Sequence, residues 1–414
     1  MAETNGFHLF SDLPDDVQFS VLSFLSPEEI LSFSLTSKRF SDLYRNGRSQ
    51  LWRAMCDRRW GHFTAISDWG QGNISYKFLY KTLSDWDDLP GFWRQWTPQS
   101  KNSPRLLPSQ SNPPNLMLIE WGPWFISGSI VSPAEGGTYE VVTTPFLWMW
   151  ITPHEELACY LDTVARIKKP SEPFTALNLL PVYFEHTWNT HLCFGTDKAI
   201  NQKQRAAVSS ARFDSKDTSQ IYEYYANLKV SVKQKKREKH SQRWETEDFI
   251  KIVDSSPTSE RPLQGLWKGI NEEMKLEFFL VTYDILGISC RRLSDLSGGR
   301  LAGCKPVFWT ADAILRKGPL SPEDALLYES RVHISAQCSE PVTEAVTHQI
   351  TINSSYDLVL SGRTEVLGNR DQDEGRIWRY SSGNFGFSFD HFIVDLRPVA
   401  TNGLLADVYI EPHA

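Results

Sequence analysis

Paired cysteines are missing from this chain. Its six cysteines, Cys56, Cys159, Cys193, Cys290, Cys304 and Cys338, are scattered over 414 residues without a CxxC spacing. That excludes the short ligand frameworks of structural zinc sites and disulfide-stapled domains. The opening, MAETNGFHLFSDLPDD, has no basic segment leading into an apolar run, so no secretory signal is expected. The most apolar stretch, VVTTPFLWMWI from Val141 to Ile151, contains Pro145 and is too short for a bilayer span. Excess positive charge is also lacking. A net charge of −7 argues against a general nucleic-acid binder, which needs a basic face. No fixed period marks WD40, kelch or leucine-rich repeats. These absences describe a soluble chain of the cytoplasm, the nucleus or both, with no nucleic acid or membrane as partner.

Catalytic signatures are absent as well. His154-Glu155-Glu156-Leu157-Ala158 begins like a zincin helix but has no second histidine four residues after the first. His186 and His191 are five apart in an aromatic segment, a poor metal spacing on a strand. Ser289 lacks the second glycine of a nucleophile elbow, and LSGGRLAGC has no Lys-Ser/Thr of a phosphate loop. Cys290 and Cys304 are candidates for reactive thiols, but without a demonstrated basic partner in space they read as buried structural thiols. The expectation is a non-enzyme without metal or cofactor.

What the chain has is aromatic residues: 15 Trp, 23 Phe and 14 Tyr beside 24 Gly and 23 Pro. This favours short strands and many turns. The opening differs. In DLPDDVQFSVLSFLSPEEILSFSLTSKRFSDL, Pro14 suits a first helical turn, with Asp15 and Asp16 near the positive end of the dipole. Val17, Val21 and Leu25 recur every four residues. Ser26-Pro27-Glu28-Glu29 restarts the chain as a capped second helix, carrying Ile30, Phe33 and Leu35. Thr36 or Ser37 caps a third, with Phe40, Leu43 and Tyr44 on one face. SQLWRAMCDRRW adds a fourth, with Leu51, Trp52 and Met55. Leu22, Phe24 and Leu31 fall off these stripes. So small a helical unit cannot bury them all, and spacing alone leaves open whether they pack on the next domain or bind another protein.

The stretch LPDDVQFSVLSFLSPEEILSFSLTSKRFSDLYRNGRSQLWRAMCDRRW resembles an F-box. It has the opening Leu13-Pro14, the VLSFLSPEEIL centre, SLTSKRF and the closing LWRAMC; the lead-in Ser34-Leu35-Thr36 is less apolar than is usual. The resemblance implies a module over residues 8–60 that docks on a Skp-family adaptor hung on a cullin scaffold, within an SCF ubiquitin ligase. It implies hydrophobic adaptor contacts from Leu13, Pro14, Val17, Val21, Leu25, Ile30, Leu35, Phe40, Leu51 and Trp52.

Beyond it, Tyr76, Leu79, Tyr80 and Leu83 have helical spacing, and residues 61–97 read as connecting helices. Residues 98–414 read as a β-rich substrate domain with a polar, partly helical insertion at about 198–261. The basic cluster Lys233, Lys235, Lys236, Arg237 and Lys239 falls in that insertion and reads as solvated rather than as a nuclear signal. Two strand blocks around an insertion suggest one closed, mainly antiparallel β-barrel, the alternative being two stacked sheets. The fold class is α+β.

The order of DLPGFWRQW, NLMLIEWGPWFISGSI, GLWKGINEEMKLEFFLV and GNFGFSFDHFIVDL resembles the F-box-only receptors that recognise cyclin D and read substrate C-termini in a β-barrel, and the chain as a whole is similar to plant F-box proteins. Asn271-Glu272-Glu273 stands where those receptors are glycine-rich, so no substrate identity is implied. Trp121, Trp124, Trp148, Trp150, Trp267, Trp309 and Trp378 are core candidates, a few of which line a groove for the target protein. The alternative is a barrel whose small-molecule ligand gates capture.

Overall fold

Serines begin most of the N-terminal helices, because a hydroxyl can accept from the first free amides. The computed structural model describes residues 10–96, 116–162, 179–181, 183–187, 191–197, 244–253, 255–284, 287–294, 306–311, 314–334, 344–352, 375–389, 392–401 and 403–409. Helices α1 (Asp15–Leu22), α2 (Pro27–Ser34), α3 (Lys38–Asn46), α4 (Arg48–Trp60) and α5 (Tyr76–Trp86) open it. At α2 the Glu29 amide donates to Ser26 Oγ (3.3 Å), and the Ser26 amide donates to the Glu29 carboxylate (2.7 Å). Ser37 Oγ caps α3 by accepting from the Phe40 amide at 3.2 Å. Phe19, Leu22, Ile30, Leu51, Trp52 and Met55 form the core between these helices.

The strands make two large sheets. The first follows the order β6-β5-β4-β3-β2-β1-β9-β8-β7, from β1 (Gly91–Trp96), β2 (Leu116–Trp121), β3 (Ile126–Pro133), β4 (Val141–Ile151), β5 (Leu157–Asp162), β6 (Leu179–Pro181), β7 (Tyr183–Thr187), β8 (His191–Asp197) and β9 (Trp244–Lys251). Its two outermost strands, β6 and β7, are separated by one residue of chain. Laid flat, nine strands would hold them about 38 Å apart. The sheet therefore curls until its ends meet.

The second sheet runs β13-β12-β11-β10-β19-β18-β17-β16-β14. Its strands are β10 (Gly265–Ile270), β11 (Leu276–Asp284), β12 (Gly287–Arg292), β13 (Phe308–Thr310), β14 (Arg316–Lys317), β16 (Val346–Ile352), β17 (Gly375–Tyr380), β18 (Phe385–Phe389) and β19 (Phe392–Pro398); β15 (Val332–Ile334) lies parallel to β19 off this path. Phe308 of β13 and Phe387 of β18 have ring centroids 5.2 Å apart, although five strand spacings, about 24 Å in a flat sheet, separate them. This sheet too is wrapped around its own side chains. Trp267, Phe279, Phe308, Phe385 and Phe387 fill the interior.

Alternation along the strands sorts the cores. In β2, Leu116 and Leu118 face a core shared with Leu266, Leu276 and Leu280 of the second sheet, whereas Met117 and Ile119 face one shared with Trp69, Leu83 and Trp86 of the helical region. A strand buried on both faces loses the polar alternation of an exposed sheet, and LMLIEW is apolar nearly throughout for that reason. The single closed barrel is thus replaced by its alternative in modified form: two curled sheets packed against each other. β9 also occupies part of the segment drawn as an insertion. Its sequence WETEDFIK is rich in acidic residues that strands disfavour, which hid it. Residues 198–243, including the basic cluster, lie outside the described residues.

Both sheets start with the same unit. Leu89-Pro90-Gly91-Phe92-Trp93 leads into β1, and Leu263-Gln264-Gly265-Leu266-Trp267 into β10. In each the glycine has a positive φ (+123° and +127°), the tryptophan is buried, and its indole N–H donates to the leucine carbonyl at 2.8 Å. In each the first strand pairs with the last, β1 with β9 and β10 with β19. The Ile252 amide donates to the Phe92 carbonyl (2.8 Å) as the Val399 amide does to that of Leu266 (3.0 Å).

Candidate functional site

The helical unit leaves one side uncovered. Burial of Phe19 and Leu22 turns the opposite face of α1 outward, so Val17 and Val21 are 39% and 47% exposed. Phe24, after α1, and Leu31 and Leu35, on and after α2, stand at 70%, 52% and 78%. These five apolar side chains occupy consecutive elements held at a fixed angle by the Ser26 cap. So many water-facing apolar residues on two short elements are unusual for the surface of a globular chain.

The ten adaptor residues expected above divide by position. Pro14, Val17, Val21 and Leu35 are exposed; Leu13, Leu25 and Phe40 are half-buried. Ile30, Leu51 and Trp52 lie in the helical core, where they pack between α1, α2 and α4. Phe24 and Leu31 were legible as off-stripe residues. Gln18 was missed. It is fully buried, and its side-chain amide donates to the Leu13 carbonyl at 2.5 Å, fixing the entry to α1; nothing in its residue type signals this. Arg58 of α4 lies over the Phe24 ring at 4.9 Å and donates to the Ser23 carbonyl at 2.7 Å, bracing the turn between α1 and α2.

The seven tryptophans do not converge. Trp121 and Trp124 pack against the core between the first sheet and the helices. Trp267 fills the second sheet, and Trp378 is buried beside Tyr328 of α6 (Pro322–Glu329), with ring centroids 5.3 Å apart. Trp150 is buried, while Trp148 and Trp309 are half-buried. Trp150, Trp267 and Trp378 are buried and leave little ring surface on the outside of the chain.

The residues weighed for chemistry are placed plainly. His154 and Glu155 sit in the turn between β4 and β5 rather than on a helix, and the Glu155 carboxylate accepts from the Ser75 amide at 2.8 Å, ahead of α5. That bond holds the Glu155 carboxyl below its ordinary value. Cys56 and Cys290 are buried, and burial pushes both thiols up, that of Cys56 to about 12, away from nucleophilic thiolate. Cys304 lies outside the described residues. No helix among the described residues is long and apolar enough to cross a membrane.

Comparison with known proteins falls on the same elements. The F-box-like family model matches residues 10–58, the span of α1 to α4. An F-box protein of Arabidopsis thaliana is 40% identical over 423 aligned positions, covering 96% of this chain and 97% of its own. An F-box/kelch-repeat protein of the same plant is 44% identical over 50 residues, only 12% of this chain and 10% of its own; that likeness is no longer than the helical unit. The end-to-end relative carries the likeness through both sheets, and with it this chain belongs to the F-box proteins.

Proposed function

We propose that the chain is the substrate-recognition subunit of an SCF-type ubiquitin ligase of the cytoplasm or nucleus. Membership of the F-box proteins implies docking on a Skp-type adaptor. The finer reading is that the exposed face of Val17, Val21, Phe24, Leu31 and Leu35 makes that contact and that the two sheets hold a protein for ubiquitination. The observation that carries it is the exposure of this face on helices whose own core is complete without it. A cullin-bound ligase supplies the charged ubiquitin, and the receptor contributes proximity, raising the local concentration of target at the transfer site. A small-molecule gate inside the second sheet finds that interior occupied by aromatic rings.

The test is binding of the full chain to a purified Skp-family adaptor. Val21→Asp with Leu35→Asp is expected to lower affinity by roughly a hundredfold, since charges would be desolvated in an apolar contact. The melting temperature should hold, because both positions face water. Unchanged affinity in the folded double variant would remove this face from the adaptor contact.

A further inference from the structure

The last described segment of the chain crosses from the second sheet to the first. It follows two short strands, β20 (Ala400–Thr401) and β21 (Leu404–Leu405). The Ala406 amide donates to the Val399 carbonyl at 2.9 Å, at the end of β19. The Val141 amide of β4 donates to the Asp407 carbonyl, and the Tyr409 amide to the Val141 carbonyl, both at 2.9 Å. Val408 thereby lies parallel to β4, on an edge that β5 covers only from Leu147 onward. Leu405 packs against the core that the two sheets share. Beneath this strap the Lys268 side chain of β10 is wholly buried. Its ammonium donates to the Ala406 carbonyl at 2.6 Å and lies 2.9 Å from the Asp407 carboxylate.

The strap is held in a way that favours exchange. Its grip on the first sheet is an isolated parallel bridge, the less stable kind of strand pairing. Leu404, Asp407, Val408 and Tyr409 are exposed, and Asp407 sits at a φ of +55°, where a side chain strains the backbone. An ammonium kept from water is costly. Burial holds Lys268 below its ordinary value, against the opposing effect of Asp407. Lifting the strap returns that charge to water, which offsets part of the bonds lost. What lifting uncovers is chemically selective. The Val141 amide and carbonyl accept any extended backbone, whereas Lys268 favours a carboxylate. Arg397, opposite Lys268 in register, adds positive charge there. The surroundings are braced: the Arg397 guanidinium lies 4.1 Å from the Tyr139 ring centre, and the Tyr139 hydroxyl donates to the Asp395 carbonyl at 3.2 Å.

We propose that residues 404–409 are a displaceable strand that blocks its own seat, and that the seat formed by Val141 and Lys268 takes an extended acidic segment of another protein. That segment runs parallel to β4 and places an aspartate or glutamate where Asp407 now stands. The strap is the template for this occupant, since it already satisfies the edge of β4 and the buried cation.

The probe is a fluorescent peptide of the strap itself, LLADVY from residues 404–409, with both ends blocked, beside the same peptide carrying Asp407→Asn. Each is titrated into the full chain as wild type, as Asp407→Asn and as Lys268→Met. Asparagine tolerates the left-handed backbone, so Asp407→Asn should loosen the resident strap at little cost in melting temperature. The unaltered peptide is expected to bind the Asp407→Asn chain at least about tenfold tighter than wild type, whose own strap competes for the seat. On that chain the altered peptide should bind about tenfold more weakly, and Lys268→Met should erase the difference between the two peptides. Hydrogen exchange gives a second reading. The Val141 and Ala406 amides should exchange by local opening, ahead of the amides that pair β10 with β11, and about tenfold faster in Asp407→Asn. Failure of the peptide to bind any of the three chains overturns the proposal, as does equal binding of both peptides to the Asp407→Asn chain. Exchange of the strap amides only through global unfolding overturns it too. Should Lys268→Met melt early, the two peptides on the Asp407→Asn chain decide without it.

Discussion

The two sheets begin alike and end in different company. Each starts from a Leu-x-Gly-x-Trp unit with the glycine at positive φ, and each pairs its first strand with its last. Where Trp93 opens the first sheet, Trp60, Trp69, Leu83 and Trp86 join the same core. Where Trp267 opens the second, the core is made of strand residues and neighbouring loops alone. The same local chemistry thus serves two purposes. One sheet is the seat of the helices that leave Val17, Val21 and Leu35 exposed, whereas the core of the other includes no helical residue among those described.

Truncating the two tryptophans is the strongest way to break the comparison. Trp93→Ala and Trp267→Ala should each cost about 3–5 kcal/mol, the range for large aromatic deletions in a core, read from denaturant melts. The consequences should separate. Trp93→Ala is expected to loosen the helical region as well, lowering adaptor affinity, whereas Trp267→Ala should leave adaptor binding near wild type under native conditions. Equal loss of adaptor binding in both would mean that the sheets unfold as one cooperative body.

The opening glycines sharpen it further. At φ of +123° and +127° any side chain is strained, by about 1–3 kcal/mol. A Cβ at Gly91 would meet nothing nearer than Lys251 Cε at 3.6 Å, but at Gly265 it would lie 2.8 Å from the Ser255 carbonyl oxygen. Gly265→Ala should therefore destabilise more than Gly91→Ala, because rigid backbone has to move. Matching melts would show that strain alone governs both sites.

Legibility in the sequence followed how local the cause was. The caps at Ser26 and Ser37 depend on neighbours within a few residues, and the residues spell them out. The α+β class followed from periodicity, and counting apolar residues showed a surplus on α1 and α2 without deciding what covers it. The division into two sheets did not, because it depends on which strands pair across more than a hundred residues. Its one sequence trace, Leu-x-Gly-x-Trp occurring twice, is too short to stand out as a repeat. Ile30, Leu51 and Trp52 share the apolar character of the exposed Val17, Val21 and Leu35, and only packing tells the two groups apart.

The smallest expected effects concern a cap motif that also occurs twice, Ser26-Pro27-Glu28-Glu29 on α2 and Ser321-Pro322-Glu323-Asp324 on α6. Glu29 is long enough to reach back to the Ser26 amide. Asp324, one methylene shorter, instead accepts from Ser321 Oγ (2.8 Å), Gln349 Nε2 (3.0 Å) and Arg376 Nε (3.4 Å), so α6 is tied to β16 and β17. Ser26→Ala and Ser321→Ala should each cost about 1 kcal/mol, but only the first should weaken adaptor binding, since Ser26 sets the angle between α1 and α2. Both carboxyls are held below their ordinary values, Glu29 chiefly by the Ser26 amide and Asp324 chiefly by Gln349. A folded-state pKa below the unfolded one gives stability that is present above the ordinary carboxylate range and lost as pH falls through the depressed value. Acid melts of Glu29→Gln and Asp324→Asn should each be less pH-dependent than wild type. Adaptor affinity followed over the same acid range should lose part of its pH dependence in Glu29→Gln and none in Asp324→Asn. A change in both would mean that α6 and the docking face are coupled through the sheets between them.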